Sequence, residues 1–304
     1  MIAFLNLIRW KNLLIIALVQ LLIKYALLEP FGINTSLNIL GISLLILSTI
    51  CIAAAGNIIN DIYDIETDFI NKPHKLIVGK AISEKKAFNL FIVFNILGVS
   101  LGFYVSNLVD KSAFFSLFVI ISALLYVYAT FLKRTLLIGN IIISLLVASS
   151  ILIVGIFELL PDITPDNKHL QLTFFKIIFD YAFFAFMINL LREIVKDIED
   201  IDGDYKANMN TLPIAIGRIR AKNILFALSF IPTLIISYYV INSLYKHEIA
   251  VGYFLLLIIG PLIYISIKIF NAEIKKDYHH ISTMLKIVMV FGMLSLLLYK
   301  YILL

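Results

Sequence analysis

Apolar residues dominate this sequence in long runs that are separated by short polar segments. A helix that crosses the hydrocarbon core of a bilayer needs about 20 such residues. Because unpaired backbone groups are not tolerated in lipid, each run is expected to be a helix. The pattern therefore predicts an all-α integral membrane protein with nine transmembrane helices. Their predicted ranges are 13–29, 38–60, 88–107, 112–131, 136–160, 173–195, 222–243, 249–270 and 284–303.

The overall composition agrees with a membrane protein. Hydrophobic residues make up 61% of the 304 residues, charged residues make up 15%, and the mean hydropathy is +0.99. A soluble globular chain has about 25% charged residues, so that class is excluded. Cys51 is the one cysteine, which excludes an intramolecular disulfide and a multi-cysteine zinc site. The adjacent His279 and His280 lack a partner at metal-ligand spacing and are expected to lie in a loop.

Positive charges are distributed unevenly between the predicted loops. If the N-terminus and the loops after helices 2, 4, 6 and 8 share one side, that side and its helix ends hold 19 of the 25 Lys and Arg. Cytoplasmic loops carry such an excess. We therefore expect the N-terminus and these loops in the cytoplasm and the C-terminus outside. Since the basic residues do not form one tract, the net charge of +5 does not indicate a nucleic-acid partner.

An acidic motif occurs twice, at the ends of predicted helices 2 and 6. The first copy reads DIYDIETD and the second reads DIEDIDGD, so both have the pattern D-x-x-D-x-x-x-D. The copies are 136 residues apart, which is close to half of the chain. The repeat predicts a single transmembrane domain with two pseudo-repeated halves, roughly 1–135 and 136–304. The acidic residues are Asp61, Asp64 and Asp68 in the first copy and Asp197, Asp200 and Asp204 in the second.

The spacing within each motif keeps its three carboxylates within roughly 60° of one face of an α-helix. Asn57 shares that face in the first copy, and Asn60 lies beside it. Carboxylates crowded at a membrane need cations close to them. Oxygen ligands select hard ions, and proteins typically hold Mg²⁺ by one or two carboxylates, waters and substrate phosphates. The motifs therefore predict Mg²⁺ as cofactor and a bound diphosphate, with the six aspartates as metal ligands and catalytic groups.

Basic residues lie close to both motifs in the sequence. Because lysine binds phosphate as a point charge, these residues are predicted to contact the diphosphate. The candidates are Lys72 and Lys75 after the first motif, Lys133 and Arg134 between helices 4 and 5, and Lys206 after the second motif.

The two motifs resemble those of the UbiA superfamily of intramembrane prenyltransferases. Residues 60–68 match that family's N-D-x-x-D-x-x-x-D motif, and residues 197–204 match its second motif. The resemblance implies nine helices around a central cavity that opens to lipid, with a polyprenyl diphosphate bound by both motifs through Mg²⁺. It further implies transfer of the polyprenyl group to a lipophilic acceptor in the membrane, without an obligatory protein partner.

Three longer stretches are similar to the digeranylgeranylglyceryl phosphate synthase branch of this family. They read DIETDFINKPHKLIVGKAIS, YATFLKRTLLIGN and REIVKDIEDIDGDYKANMNTLPIAIG. The resemblance implies that Tyr128 and Arg192, which lie in these stretches, also bind substrate. It implies transfer of a geranylgeranyl group to the hydroxyl of geranylgeranylglyceryl phosphate, which forms an ether lipid. Lys75 and Leu76 stand where many members have an Arg-Pro pair, and this departure leaves the acceptor open.

Two alternatives remain open at this point. An aromatic-acceptor prenyltransferase of quinone or pigment biosynthesis would need the same diphosphate site, so the motifs do not separate it from an ether-forming enzyme. A membrane transporter could use the carboxylates as a cation path. Transporters tend to keep ionisable groups near the bilayer midplane. Because the carboxylates here are predicted at helix ends beside long loops, the pattern favours an enzyme.

Overall fold

The computed structural model describes residues 1–74 and 76–303. Within this part of the chain, nine helices are long and apolar enough to cross a membrane, which confirms the predicted all-α class. They are α1 (Trp10–Phe31), α2 (Ile39–Tyr63), α3 (Glu84–Leu108), α4 (Ser112–Thr130), α5 (Ile138–Leu159), α6 (Lys168–Lys206), α7 (Arg218–Leu244), α8 (Glu248–Asn271) and α9 (Lys275–Tyr301). Shorter α-helices outside these spans are Ile2–Leu7, Ile65–Asn71 and Leu212–Ile216.

Helix α6 is much longer than the apolar pattern predicts. The pattern indicates residues 173–195, whereas the helix begins at Lys168 and ends at Lys206. The apolar run marks only the part of a helix that crosses lipid. An α-helix satisfies its own backbone and can therefore continue into the polar region beyond the membrane. As a result, the whole second motif lies within α6.

Helix α9 also begins earlier than predicted, at Lys275 instead of near residue 284. Asp277 accepts hydrogen bonds from the backbone N–H groups of the two residues before the helix, at 3.0 and 3.1 Å. A carboxylate in this position satisfies donors that the helix leaves unpaired. His279 and His280 are therefore helical, and the prediction that they lie in a loop was wrong.

The described chain divides into two compact units. The first unit joins Met1–Lys133 with Ser149–Phe179, and the second joins Arg134–Ala148 with the residues from Asp180 onward. In the first unit, α2 packs against α1, α3 and α4. In the second, α8 packs against α7 and α9. Each unit contains one acidic motif, and the division of the sequence into two repeated halves stays a prediction.

In the first unit, α2 and α3 approach each other so closely that their contact requires a glycine. Ser48 donates a hydrogen bond from Oγ to the backbone oxygen of Gly98 at 2.7 Å. A Cβ atom at Gly98 would lie 2.6 Å from Ile52 Cγ1 and 3.1 Å from Ile52 N. Because a helix backbone cannot move aside as a side chain can, a larger residue would separate the helices. Small residues commonly allow such close packing in membranes.

The first unit also buries two opposite charges inside otherwise apolar helices. Lys24 lies in a π-helical stretch of α1, Ile23–Leu28, and Glu158 lies at the end of α5. Their side chains are 2% and 0% exposed, and Lys24 Nζ lies 2.8 Å from Glu158 Oε1. Lys24 also donates to the backbone oxygen of Leu37, and Leu37 N donates to Glu158 Oε2 at 3.1 Å. The pair therefore ties the loop before α2 to both helices.

Candidate functional site

The first acidic motif lies at the end of α2. This helix ends at Tyr63, and the short helix Ile65–Asn71 follows, with Asp64 at the junction. The backbone of Asp64 has φ −97° and ψ 3°, in a sparsely allowed region where many active-site residues lie. Asp61 therefore belongs to α2 and Asp68 to the short helix. The prediction that these carboxylates share one face of a continuous helix was wrong for this copy.

Asp61 forms an ion pair with Arg9, a residue that the sequence analysis did not place in the site. Arg9 Nη2 lies 2.7 Å from Asp61 Oδ1. Burial of the guanidinium lowers the pKa of Arg9, but the charges of the three motif aspartates and the hydrogen bond to Asp61 raise it further, so the net pKa lies above its ordinary value. Arg9 is therefore a permanent positive charge on the first motif. The two residues are 52 positions apart, and no local pattern connects them.

Asp64 contacts two residues that the sequence predicts in the site. Lys133, in the short turn after α4, donates from Nζ to Asp64 Oδ1. Asn60 donates from Nδ2 to Asp64 Oδ2 at 2.6 Å. The other side-chain atom of this amide, Asn60 Oδ1, is buried and has no hydrogen-bond donor among the described residues. The ammonium group of Lys133, the carboxylate of Asp64 and the buried amide oxygen of Asn60 therefore lie close together at this junction.

Asn57 lies one helical turn before Asp61, as the spacing predicts, but its amide contacts main chain. Asn57 Nδ2 donates to the backbone oxygen of Ile8 at 3.0 Å. This bond fixes the segment immediately before Arg9 to helix α2. Tyr128, another predicted substrate contact, is half-buried on α4. Both residues stay substrate-binding predictions.

Asp68 is half-buried on the short helix after the junction. Burial, and next the charge of Asp64, raise the pKa of Asp68 from 3.8 to about 6, while Lys72 lowers it. Lys72 is half-buried, and His74 is exposed. Lys75, which the sequence predicts to bind diphosphate, lies outside the described residues.

The second acidic motif lies on one continuous helix, as predicted, because α6 extends to Lys206. Its first carboxylate, Asp197, accepts a hydrogen bond from Asn140 Nδ2 at 2.8 Å. Asn140 lies in the first turn of α5 and is 5% exposed. Ser144 Oγ donates to the backbone oxygen of Asn140 at 2.6 Å and accepts from Asn189 Nδ2 at 3.2 Å. Asn140 belongs to the stretch YATFLKRTLLIGN, but the sequence analysis did not single it out.

The first turns of α9 contact the second motif within the second unit. Lys275 Nζ lies 3.7 Å from Asp200 Oδ1. One turn later, His279 Nδ1 lies 3.1 Å from an oxygen of Glu199, a buried carboxylate beside Asp200. Asp204, the last carboxylate of the motif, is also buried. Sequence reasoning missed the contacts from α9 because the apolar run of this helix starts after them.

The remaining predicted cations of the second unit have different surroundings. Arg134 is exposed, and its backbone oxygen accepts a hydrogen bond from Asn210 N at 2.9 Å. Arg192 is half-buried, with Nη1 3.5 Å from Glu193 Oε1. Lys206 is exposed at the end of α6. These three residues stay substrate-binding predictions.

The donor chemistry of the first motif fits a hard divalent cation. Among the described residues, no three His, Cys, Asp or Glu side chains lie close enough together to hold a metal ion. Mg²⁺ needs no such cluster, because one or two carboxylates, waters and substrate phosphates complete its octahedron. Asp61, Asp64 and the buried Asn60 Oδ1 supply oxygen donors only. The ion must then compete with Arg9 and Lys133 for the carboxylates.

Comparison with known proteins identifies the family of this chain. Residues 12–299 match the model of the UbiA prenyltransferase family. The digeranylgeranylglyceryl phosphate synthase of Methanosphaera stadtmanae is 31% identical over 257 residues, which cover 83% of this chain and 86% of the relative. The synthase of Methanococcoides burtonii is 31% identical over 287 residues, which cover 91% of each chain. The family match decides against the transporter alternative.

Two solved structures have the same fold. One comes from work on digeranylgeranylglyceryl phosphate synthase in membranes and is 25% identical, with a TM-score of 0.60. The match covers 97% of this chain and 98% of the solved chain. The other is a UbiA homologue from Archaeoglobus fulgidus bound to DMAPP and Mg²⁺, which is 18% identical with a TM-score of 0.59 and the same coverage. With nine membrane-spanning helices in the described residues and a match over nearly its whole length, the chain belongs to the UbiA prenyltransferase family.

Proposed function

We propose that this chain transfers a geranylgeranyl group from geranylgeranyl diphosphate to the hydroxyl of geranylgeranylglyceryl phosphate. The bond between C1 of the prenyl group and the diphosphate oxygen breaks, and the diphosphate leaves with the electron pair. The acceptor oxygen bonds to C1 and releases its proton, so the product is an ether. The observation that carries the proposal is the 31% identity to digeranylgeranylglyceryl phosphate synthases over more than four fifths of both chains.

The oxygen donors of the two motifs support Mg²⁺ as the cofactor. When bound, Mg²⁺ neutralises phosphate oxygens and makes diphosphate a better leaving group. The residues that would hold it are Asp61, Asp64 and Asp68 with Asn60 in the first motif, and Asp197, Asp200 and Asp204 in the second. Lys133, which lies against Asp64, would add a positive charge for the diphosphate.

The acceptor is tested by product analysis with the purified chain. Geranylgeranyl diphosphate and Mg²⁺ are supplied with either geranylgeranylglyceryl phosphate or an aromatic acid of the kind used in quinone biosynthesis. Mass spectrometry is expected to show the ether product with the first acceptor and no ring-prenylated product with the second. Ring prenylation without ether formation would contradict the proposal and favour the aromatic-acceptor alternative.

We also infer that the N-terminus and the motif-bearing ends of α2 and α6 face the cytoplasm, with the C-terminus outside. The excess of Lys and Arg on that side supports this orientation. Cys51 is the one cysteine, so in a Cys51→Ser background a single introduced cysteine reports its own position. His74→Cys should react with a membrane-impermeant maleimide in inside-out vesicles, and Asp166→Cys should react in intact cells. The reverse pattern would contradict the orientation.

A further inference from the structure

Arg9 is held against the first motif by a strained and well-anchored segment. Its backbone is left-handed, with φ 54° and ψ 50°, between the helix Ile2–Leu7 and α1. A residue other than glycine persists in this region only where its surroundings fix it, often at functional sites. Asn57 Nδ2 anchors Ile8 O on one side, and Asn12 N donates to Arg9 O at 2.8 Å on the other. The left-handed backbone at Arg9 thus accompanies the position of its guanidinium against Asp61.

A divalent cation on the first motif changes the charge balance around Arg9. In the structure, Arg9 neutralises Asp61 and Lys133 neutralises Asp64. A cation on the same oxygens would lie close to the guanidinium, and like charges at such a distance repel. Arg9 and the cation therefore compete for Asp61 unless an anion joins them. A diphosphate is such an anion, and the fork of guanidinium donors can bind two of its oxygens at once.

The second motif has a neutral residue where the first has Arg9. Arg9 immediately precedes α1, the helix before α2, and Asn140 lies in the first turn of α5, the helix before α6. Each contacts the first aspartate of the following motif, Asp61 or Asp197. An amide places no charge in competition with a metal ion, whereas a guanidinium does. A cation that binds the first motif must therefore compete with a guanidinium for the first aspartate, whereas a cation that binds the second motif meets an amide there.

We propose that Arg9 is a diphosphate-binding residue that moves from Asp61 to the diphosphate when a divalent cation binds the first motif. The inference rests on the proposed function, because it takes a prenyl diphosphate as substrate. The exchange makes the binding of cation and diphosphate cooperative. The cation releases Arg9 from its carboxylate, and the diphosphate gives the released guanidinium a new partner.

The exchange is tested by ligand binding, separately from turnover. Arg9→Gln removes the charge and keeps a polar side chain. Mn²⁺ binding to the purified chain is followed by electron paramagnetic resonance, and binding of inorganic diphosphate is followed by calorimetry. Without diphosphate, Arg9→Gln should bind Mn²⁺ about tenfold more tightly than the wild type, because its charged competitor is gone. In saturating Mn²⁺, it should bind inorganic diphosphate about tenfold more weakly.

Lys11→Gln is the matched control. It removes a positive charge two positions away, on a side chain whose Nζ lies 5.9 Å from the ring centroid of Trp10. Both binding constants of this variant should stay within about twofold of the wild type, as for other exposed charges. Arg9→Lys is the second variant. It keeps the charge, so its Mn²⁺ affinity should equal that of the wild type, while its diphosphate affinity should fall because the two-oxygen fork is lost.

Unchanged or weaker Mn²⁺ binding by Arg9→Gln would overturn the proposal and leave Arg9 with a structural role. If Arg9→Gln does not fold, Arg9→Lys decides: weakened diphosphate binding supports the exchange, and unchanged diphosphate binding overturns it. Failure of the proposed function would look different. The wild type would then bind inorganic diphosphate with Mn²⁺ but form no ether from geranylgeranyl diphosphate.

Discussion

Asn140 donates a hydrogen bond from Nδ2 to Asp197 Oδ2 at 2.8 Å, although the two residues are 57 positions apart. The bond fixes one oxygen of the carboxylate without neutralising its charge. Ser144, one turn further along α5, donates to the backbone of Asn140 and is itself buried. Asn140 is therefore placed to orient Asp197, one of the proposed metal ligands, as groups behind the ligands do in many metal sites.

Asn140→Ala should weaken the second motif as a metal site. We expect Mn²⁺ affinity and turnover to fall by about tenfold or more, because groups that orient metal ligands contribute about 10–100-fold to affinity. The measurements are Mn²⁺ titration and prenyl transfer at saturating Mn²⁺. Asn95→Ala is the control, since it removes a half-buried amide that accepts a hydrogen bond from Ser122 and lies outside both motifs. Equal effects of both variants would show that Asn140 acts only on folding.

Asp64→Ala and Asp200→Ala should each abolish prenyl transfer while the protein stays folded in detergent. Both changes remove a proposed ligand from a half-buried position, and neither removes core packing. The loss is expected to be at least about a hundredfold, as for groups that stabilise charge in a reaction. Asp166→Ala, at an exposed carboxylate, is the matched control. Near-normal transfer by either motif variant would contradict the assigned role.

Divalent-cation binding should weaken below about pH 6. Burial and the charge of Asp64 raise the pKa of Asp68 from 3.8 to about 6, so between these values the folded chain binds a proton that the unfolded chain releases. This proton stabilises the fold below about pH 4, and its contribution is lost as the pH rises through about 6. A metal ion must displace it, so apparent affinity should fall by up to about tenfold per pH unit below that value.

Mn²⁺ titrations between pH 5 and 8 test this dependence in the wild type and in Asp68→Asn. The variant cannot take up the proton, so its affinity should be lower overall and nearly independent of pH across that range. Asp166→Asn should follow the wild type. If Asp68→Asn keeps the wild-type pH dependence, the proton belongs to another group.

Lys24→Met should destabilise the protein without affecting the chemistry. It leaves the Glu158 carboxyl group, which is 0% exposed, without its positive partner. Among the described residues, the hydrogen bond from Leu37 N to Glu158 Oε2 remains. Breaking one side of a buried ion pair costs about 3–5 kcal/mol. Thermal unfolding in detergent should show a clearly lower midpoint, and the remaining folded protein should retain wild-type turnover.

The double variant Lys24→Met/Glu158→Leu is the control for that prediction. Replacing a buried pair by apolar groups of similar volume is often neutral, so the double variant should recover most of the lost stability. A double variant as unstable as Lys24→Met would show that the loop before α2 depends on the charges themselves.

The sequence by itself determined the class, the helices and the residues of the motifs. Lipid imposes a length of about 20 apolar residues on each spanning helix, so the nine spans can be counted from local composition. The two copies of D-x-x-D-x-x-x-D are likewise local patterns. The predicted helix boundaries were wrong where polar residues continue a helix, as at both ends of α6 and at the start of α9.

The tertiary structure alone decided which residues complete the motifs. Arg9 reaches Asp61 across 52 positions, and Asn140 reaches Asp197 across 57. Each pair joins residues on different helices or segments, so the helical periodicity of the sequence does not indicate these contacts. The end of α2 before Asp64 likewise could not be read from the spacing. Local patterns specify helices because their hydrogen bonds are local, whereas ion pairs between helices depend on how the helices pack.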